Sequence, residues 1–150
     1  MDYSKSFAIS AAGMAAERMR VEVSVLNIAN ANTIQTANGG GFQPLRVVLR
    51  STAAAMPGAF AARIEAGRNE ALNTLPEASV EPSGVVPRQV YEPGNPFADT
   101  KGFVSYPGVD TATEMVNMMS ALRSYESNVA ALNMAKTLSS KALEIGGASS

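Results

Sequence analysis

The chain contains neither histidine nor cysteine among its 150 residues, so any chemistry must come from what is left. A serine hydroxyl needs a base to become a nucleophile, and without imidazole or thiolate the usual pairs cannot form. Ser139-Ser140-Lys141 is the nearest approach to a serine–lysine pair, but on a helix it reads as a solvated face. Gly39-Gly40-Gly41 is not a phosphate loop, because no Gly-Lys-Ser/Thr follows it. Glu92, Asn95 and Asp99 carry the oxygens that calcium takes, yet Pro93 and Pro96 beside them and the missing bidentate glutamate make this a turn. Met115, Met118 and Met119 are the residue type of a promiscuous peptide groove, and ordinary helix packing accounts for them better. The inventory predicts no enzyme, no cofactor and no metal, and offers no catalytic residue.

The elements that hold these residues are legible in the proline pattern. All eight prolines fall between Pro44 and Pro107, and an interior proline costs a helix about 3 kcal/mol. Two proline-free ends therefore flank a punctuated middle. At the C-terminal end, Thr111 and Glu114 have capping-box spacing, with Asp110 as an alternative cap, and Gly146-Gly147 supplies a stop. Met115, Met118, Leu122, Tyr125, Val129 and Leu132 step alternately by three and four, the seam of a two-stranded coiled coil. The seam breaks at Lys136 and Ser139, and apolar character moves to Ala135, Leu138, Ala142 and Ile145.

The N-terminal end is helical as well. Phe7, Met14, Val21 and Ile28 repeat at heptad spacing, with Ala12, Met19 and Leu26, then Ile9, Ala16 and Val23, as parallel rows. So wide an apolar arc requires cover on more than one side. Between the helices, Leu45–Arg50 alternates like a half-exposed strand, and Asn38–Gly41 ahead of it is a turn. Short strands are predicted at Val85–Val86, Val90–Tyr91 and Phe103–Tyr106, with a turn-rich loop at 92–102. The division is a core helix over 1–33, an irregular and β segment over 34–109, and a core helix over 110–146, the two helices forming one core. The fold class is mainly α with a small β-containing middle: long terminal helices packed as a coiled-coil-like pair, connected by an irregular or β arm.

A helix hairpin of this composition leaves apolar surface that its own chain does not hide, so the terminal helices look built for sharing with other chains. The net charge of −1, without a basic run, argues against nucleic acid as a partner. The N-terminal apolar patch is closed early by Glu17, Arg18 and Arg20 and carries only Lys5 ahead of it, so neither a signal peptide nor a membrane span is predicted. A cysteine-free chain suits either redox compartment.

Two stretches resemble a known family. Ser10–Thr33, through Asn27, Ala29, Asn30, Asn32 and Thr33, is similar to the N-terminal motif of bacterial flagellar axial proteins, in which an amphipathic helix ends in an asparagine-rich turn. Gln89–Ile145 resembles the rod members of that rod and hook family. The likeness rests on Tyr91-Glu92-Pro93-Gly94-Asn95-Pro96, Ala98-Asp99, Gly102-Phe103-Val104 and Pro107 in the loop. It continues through Glu114-Met115-Val116, Arg123-Ser124-Tyr125-Glu126 and Asn128-Val129 in the helix.

The resemblance implies a structural, non-enzymatic subunit of the basal-body rod, the drive shaft that transmits torque from motor to hook. It implies a periplasmic rod location, reached through the flagellar type III export apparatus without a cleaved signal. The implied partners are copies of itself and other axial proteins (FlgB, FlgF, FlgG and FliE), with no nucleic acid and no small-molecule substrate. The assembly surface would be Phe7, Met14, Met19, Val21, Leu26, Ile28, Met115, Met118, Leu122, Tyr125, Val129 and Leu132. The asparagines would end the inner helix and turn the chain outward into the β arm. The competing reading is a soluble helical adaptor or secretion chaperone that binds one partner through its amphipathic helices.

Overall fold

A computed structural model describes residues 3–35, 40–50 and 76–147. Helix α1 spans Tyr3–Asn30, strands β1 and β2 span Leu45–Arg50 and Glu77–Pro82, and strands β3 and β4 span Arg88–Tyr91 and Phe103–Tyr106. Helix α2 closes the order at Thr111–Gly147. The expected turn residue Asn38, Gly39 beside it and the stretch 51–75 lie outside the described residues.

The two helices pack together and run antiparallel. Asn27 near the end of α1 reaches Glu114 near the start of α2, and Gly13 lies against the Asn128 side chain. Continued, that register sets the start of α1 opposite Leu138, so the last turns of α2 run on past its partner. At 1.5 Å per residue α2 is roughly 55 Å long and α1 roughly 42 Å. Ala16, Val23, Ser24 and Asn27 are buried on α1, Ala31 in the turn just after it, and Ala121 on α2. Small residues at the crossing let the two backbones approach closely.

Asp110, not Thr111, caps α2. Its carboxylate accepts the Ala112 N–H at 3.2 Å and the Thr113 hydroxyl, the bonding of an N-cap residue. The expected capping box does not form, because the Glu114 side chain turns instead to Asn27 on the other helix. At the far end α2 runs through Gly146 to Gly147.

The middle holds two antiparallel hairpins. In one, β1 pairs with β2 over Leu45–Pro82 to Arg50–Glu77, and β1 lies against α1. Strand β2 gives little warning in sequence, since Glu77, Glu81 and Pro82 all belong to types that strands avoid. In the other, β3 pairs with β4 over Arg88–Tyr106 to Tyr91–Phe103. The strand expected at Val85–Val86 is absent: those residues run without a ladder past Gly108, where the Val86 carbonyl and Val85 side chain leave no space for a Cβ. Gln35 ties the linker to the second hairpin, donating its N–H to the Ser105 carbonyl at 2.8 Å, while its side-chain amide donates to the Phe42 carbonyl at 3.1 Å.

The loop between β3 and β4 is closed by its own polar groups. Asp99 accepts N–H bonds from Lys101 and Phe103, each at 2.8 Å, and Glu92 accepts from Asn95 at 2.9 Å and from the Tyr106 hydroxyl at 3.2 Å. Tyr91 and Phe103 meet edge to face with centroids 5.3 Å apart, and the Arg88 guanidinium sits 5.8 Å from the Tyr106 ring centre. Burial, then the Glu92 carboxylate, pushes the Tyr106 hydroxyl above its ordinary pKa. Gly102 has φ of +81°, and a Cβ there would come within 2.9 Å of the Tyr91 ring and 3.2 Å of Pro93.

Gly102→Ala should therefore cost the hairpin roughly 1–3 kcal/mol, the strain of a left-handed non-glycine residue. Gly94→Ala, where nothing lies within 4 Å and φ is ordinary, should change little; chemical denaturation of both variants checks the contrast. The hydrogen bond from Phe103 N–H, followed by that from Lys101, holds the Asp99 carboxyl below its ordinary 3.8. A folded pKa lower than the unfolded one stabilises the loop above the ordinary carboxylate range, and the benefit is lost as pH falls through the folded value. Protection of the Phe103 amide, measured against its intrinsic exchange rate, should accordingly fall below about pH 4, and Asp99→Asn should abolish that acid dependence.

Candidate assembly surface

Two different faces of the terminal helices emerge from the packing. The inner face, where α1 meets α2, is made mainly of small or polar residues: Gly13, Ala16, Ser24 and Asn27 with Val23 on one side, Glu114, Ala121, Ser124 and Asn128 with the half-buried Met118 and Leu132 on the other. The outer face of α2 carries large residues that are more exposed. Met115 is 51% exposed, Val116 65%, Met119 53% and Leu122 44%. A groove lined by Val116, Met119, Arg123, Ser124, Ser127 and Asn128 runs from this side of the helix to the edge of the inner seam. In the antiparallel register, exposed Val25 and Leu26 of α1 sit at the same end of the pair as Met115 and Val116.

Each residue expected at an assembly surface has a place in this arrangement. Phe7, Met14, Met19, Val21 and Ile28 are half-buried on α1, and Leu26 is exposed. Met118, Val129 and Leu132 are half-buried on α2, whereas Met115, Leu122 and Tyr125 are exposed. None of the twelve belongs to the fully buried core. The coiled-coil seam read from the sequence thus meets the packed side of α2 at Met118, Val129 and Leu132 and leaves it at Met115, Leu122 and Tyr125. Leu138, Leu143 and Ile145 of the α2 overhang are exposed too.

The motif residues divide by role. Asn27 is 1% exposed and joins three elements. Asn30 is the last residue of α1, and its amide donates to the Leu26 carbonyl at 2.8 Å, which satisfies one of the terminal acceptors. Asn32 is exposed in the turn that follows. Tyr91, Pro93 and Gly102 pack together in the closed loop, and Gly94 and Pro96 shape its exposed turns. Sequence reasoning missed Glu114 as a partner of Asn27, and it missed Val116 and Met119 on the outer face. The small residues Gly13, Ala16 and Ala121 at helical spacing were the available signal for the inner seam.

Known proteins match this chain along nearly its whole length. The family model for the flagellar basal body rod FlgEFG protein C-terminal region matches residues 100–145, covering the end of the closed loop and most of α2. Flagellar basal-body rod protein FlgC of Salmonella typhimurium is 38% identical over 140 residues, covering 93% of this chain and 95% of its own length. FlgC of Bacillus subtilis is 34% identical over 145 residues, covering 94% and 96%. FlgC of Aquifex aeolicus is 30% identical over 151 residues, covering 96% and 97%. The chain belongs to the FlgC family of flagellar basal-body rod proteins. It is a structural component of the flagellar basal-body rod, and the adaptor or chaperone reading is not favoured. Among the described residues no helix is long and apolar enough to cross a membrane.

The inner and outer faces of this rod subunit should respond differently to substitution. Ala121 is fully buried against α1, so Ala121→Leu should overpack the seam and lower stability by about 1–3 kcal/mol. Leu122→Asp, on the outer face, should shift the melting temperature of the isolated chain far less. Parallel thermal melts of the two variants test the assignment of faces.

Proposed function

We propose that this rod subunit polymerises helically, with its outer helical face sheathed by neighbouring axial subunits, and so forms part of the drive shaft that carries torque to the hook. The observation that carries the reading is the separation of residue sizes. After α1 and α2 pair, largely through glycine, alanine, serine and asparagine, the ridge of Met115, Val116, Met119 and Leu122 on α2 still faces outward. Burying each such side chain is worth about 1.5–3 kcal/mol, a driving force that pairing within the chain leaves unused. A ridge running along a helix, rather than a closed patch, suits contacts repeated along a shaft.

The partners in this reading are further copies of the chain and the axial proteins FlgB, FlgF, FlgG and FliE. The subunit passes through the flagellar type III export apparatus without a cleaved signal peptide and takes its place in the rod within the periplasm. Its role is mechanical and involves no enzymatic step. The half-buried state of Phe7, Met14, Met19, Val21 and Ile28 supports placing α1 beside a neighbour as well as beside α2.

Leu122→Asp and Val21→Asp should each abolish incorporation into basal bodies and swimming, because a carboxylate buried in a subunit interface costs several kcal/mol without a partner. Lys141 and Glu144 form an exposed pair at 2.7 Å near the end of α2, and Ala at either should leave motility close to normal. Swarm assays and immunoblots of purified basal bodies decide it. Full motility with Leu122→Asp would remove the outer face from the assembly.

A further inference from the structure

Asn27 lies in the last turn of α1, yet it touches two elements distant in sequence. Its Nδ2 donates to the Leu45 carbonyl at 2.9 Å and to Glu114 Oε1 at 3.2 Å, and its Oδ1 accepts the Leu45 N–H at 2.9 Å. Both amide hydrogens are used, in a site where Asn27 is 1% exposed. The Leu45 groups are available for a reason of register. Ser83 donates to the Pro44 carbonyl at 2.7 Å, so the next pair, Leu45 with Pro82, turns its backbone groups away from β2. The Asn27 side chain then does for β1 what an adjacent strand would do.

Glu114 reinforces an amide orientation that the Leu45 carbonyl and N–H already select. A carboxylate only accepts hydrogen bonds, so it adds a second acceptor on the Nδ2 side. The flipped amide would set Oδ1 against both the carboxylate and the Leu45 carbonyl, and Nδ2 against the Leu45 N–H. Glu114 sits in the first turn of α2, so it reaches Asn27 only while α2 is docked along α1. We propose that Asn27 and Glu114 are positioning residues of a latch: pairing of the terminal helices brings Glu114 in to brace the Asn27 amide, and the braced amide anchors the β arm at Leu45. The latch is a property of the single chain. Its consequence, that an incoming subunit sets its arm only as its termini pair within the shaft, rests on the rod reading above.

Backbone amide exchange on the full-length protein tests the latch, with Leu45 as reporter and Phe103 of the β3–β4 hairpin as reference. Glu114→Ala should speed Leu45 exchange roughly tenfold, the loss of one charge-assisted hydrogen bond. Glu114→Gln keeps an acceptor and should stay close to the parent. Neither variant should alter exchange in the middle of α2, which a general loss of helix would move. Asn27→Asp should release Leu45 at least as strongly, and adding Glu114→Gln should restore part of the protection, because the glutamine amide can donate to the new carboxylate. Ala121→Asp, which splits the seam some ten residues along α2 at 1.5 Å each, should release Leu45 while Phe103 stays protected.

The latch is overturned if Leu45 keeps its protection in Glu114→Ala, or if the alanine and glutamine variants behave alike. It is also overturned if Leu45 stays protected once the seam is open. If Ala121→Asp unfolds the whole chain, the Phe103 reference reports it, and the comparison of alanine with glutamine at Glu114 decides alone. Incorporation of Glu114→Ala into basal bodies, scored separately, bears on the rod reading and leaves the solution result untouched.

Discussion

The buried amide of Asn27 is the contact on which the arrangement of the chain depends. It is the point where the end of α1, the first residue of β1 and the first turn of α2 meet through side-chain hydrogen bonds. Few side chains could occupy the position. Aspartate has no hydrogen to donate to the Leu45 carbonyl and would face Glu114 with like charge, and leucine would leave both Leu45 backbone groups without partners. Glutamine has the right atoms on a longer stem. A residue that is a poor helix former is thus retained in the last turn of a long helix because its amide substitutes for a strand.

The two faces of the helix pair follow from a division of labour by side-chain size. Glycine, alanine and serine in the seam permit a close approach of α1 and α2, and that approach leaves little room for large side chains between them. Several of the larger residues lie on the flanks instead, where Met115, Val116, Met119 and Leu122 form an apolar ridge. A soluble monomer would be poorly served by such a surface. In the assembly proposed above, it is the part of the molecule that neighbouring subunits cover. The overhang of α2 beyond the start of α1 extends the same condition to Leu138, Leu143 and Ile145.

The β3–β4 loop illustrates how a family motif can be a record of conformation. Asp99 closes the loop by accepting backbone N–H groups, Glu92 joins Asn95 to Tyr106, and Gly102 supplies a left-handed residue under the Tyr91 ring. Each of these side chains satisfies a partner inside the loop, so the hairpin holds its shape without a large core. Glu92 Oε2, Asn95 Oδ1 and Asp99 Oδ1, among the oxygens that invite a cation, already accept from donors of the protein itself.

The helices, the proline-rich middle, strands β1, β3 and β4 and the rod and hook resemblance could all be read in one dimension. Helical periodicity, proline exclusion and strand alternation act between residues close along the chain, and so they survive in the sequence. Strand β2 was not legible, because its pairing with β1 overrides the poor strand propensity of Glu77, Glu81 and Pro82. The seam was legible only in part. Heptad spacing in α2 reports where large apolar residues recur, but which stripe faces α1 depends on how closely two backbones approach, and Gly13, Ala16 and Ala121 decide that only once both helices are in place. Glu114 shows the same limit: its spacing from Thr111 promises a local cap, yet Asp110 takes that role and the carboxylate crosses to Asn27. Local order was written in neighbouring residues, while the choice of partners across the fold was made by geometry that exists only after the chain has closed on itself.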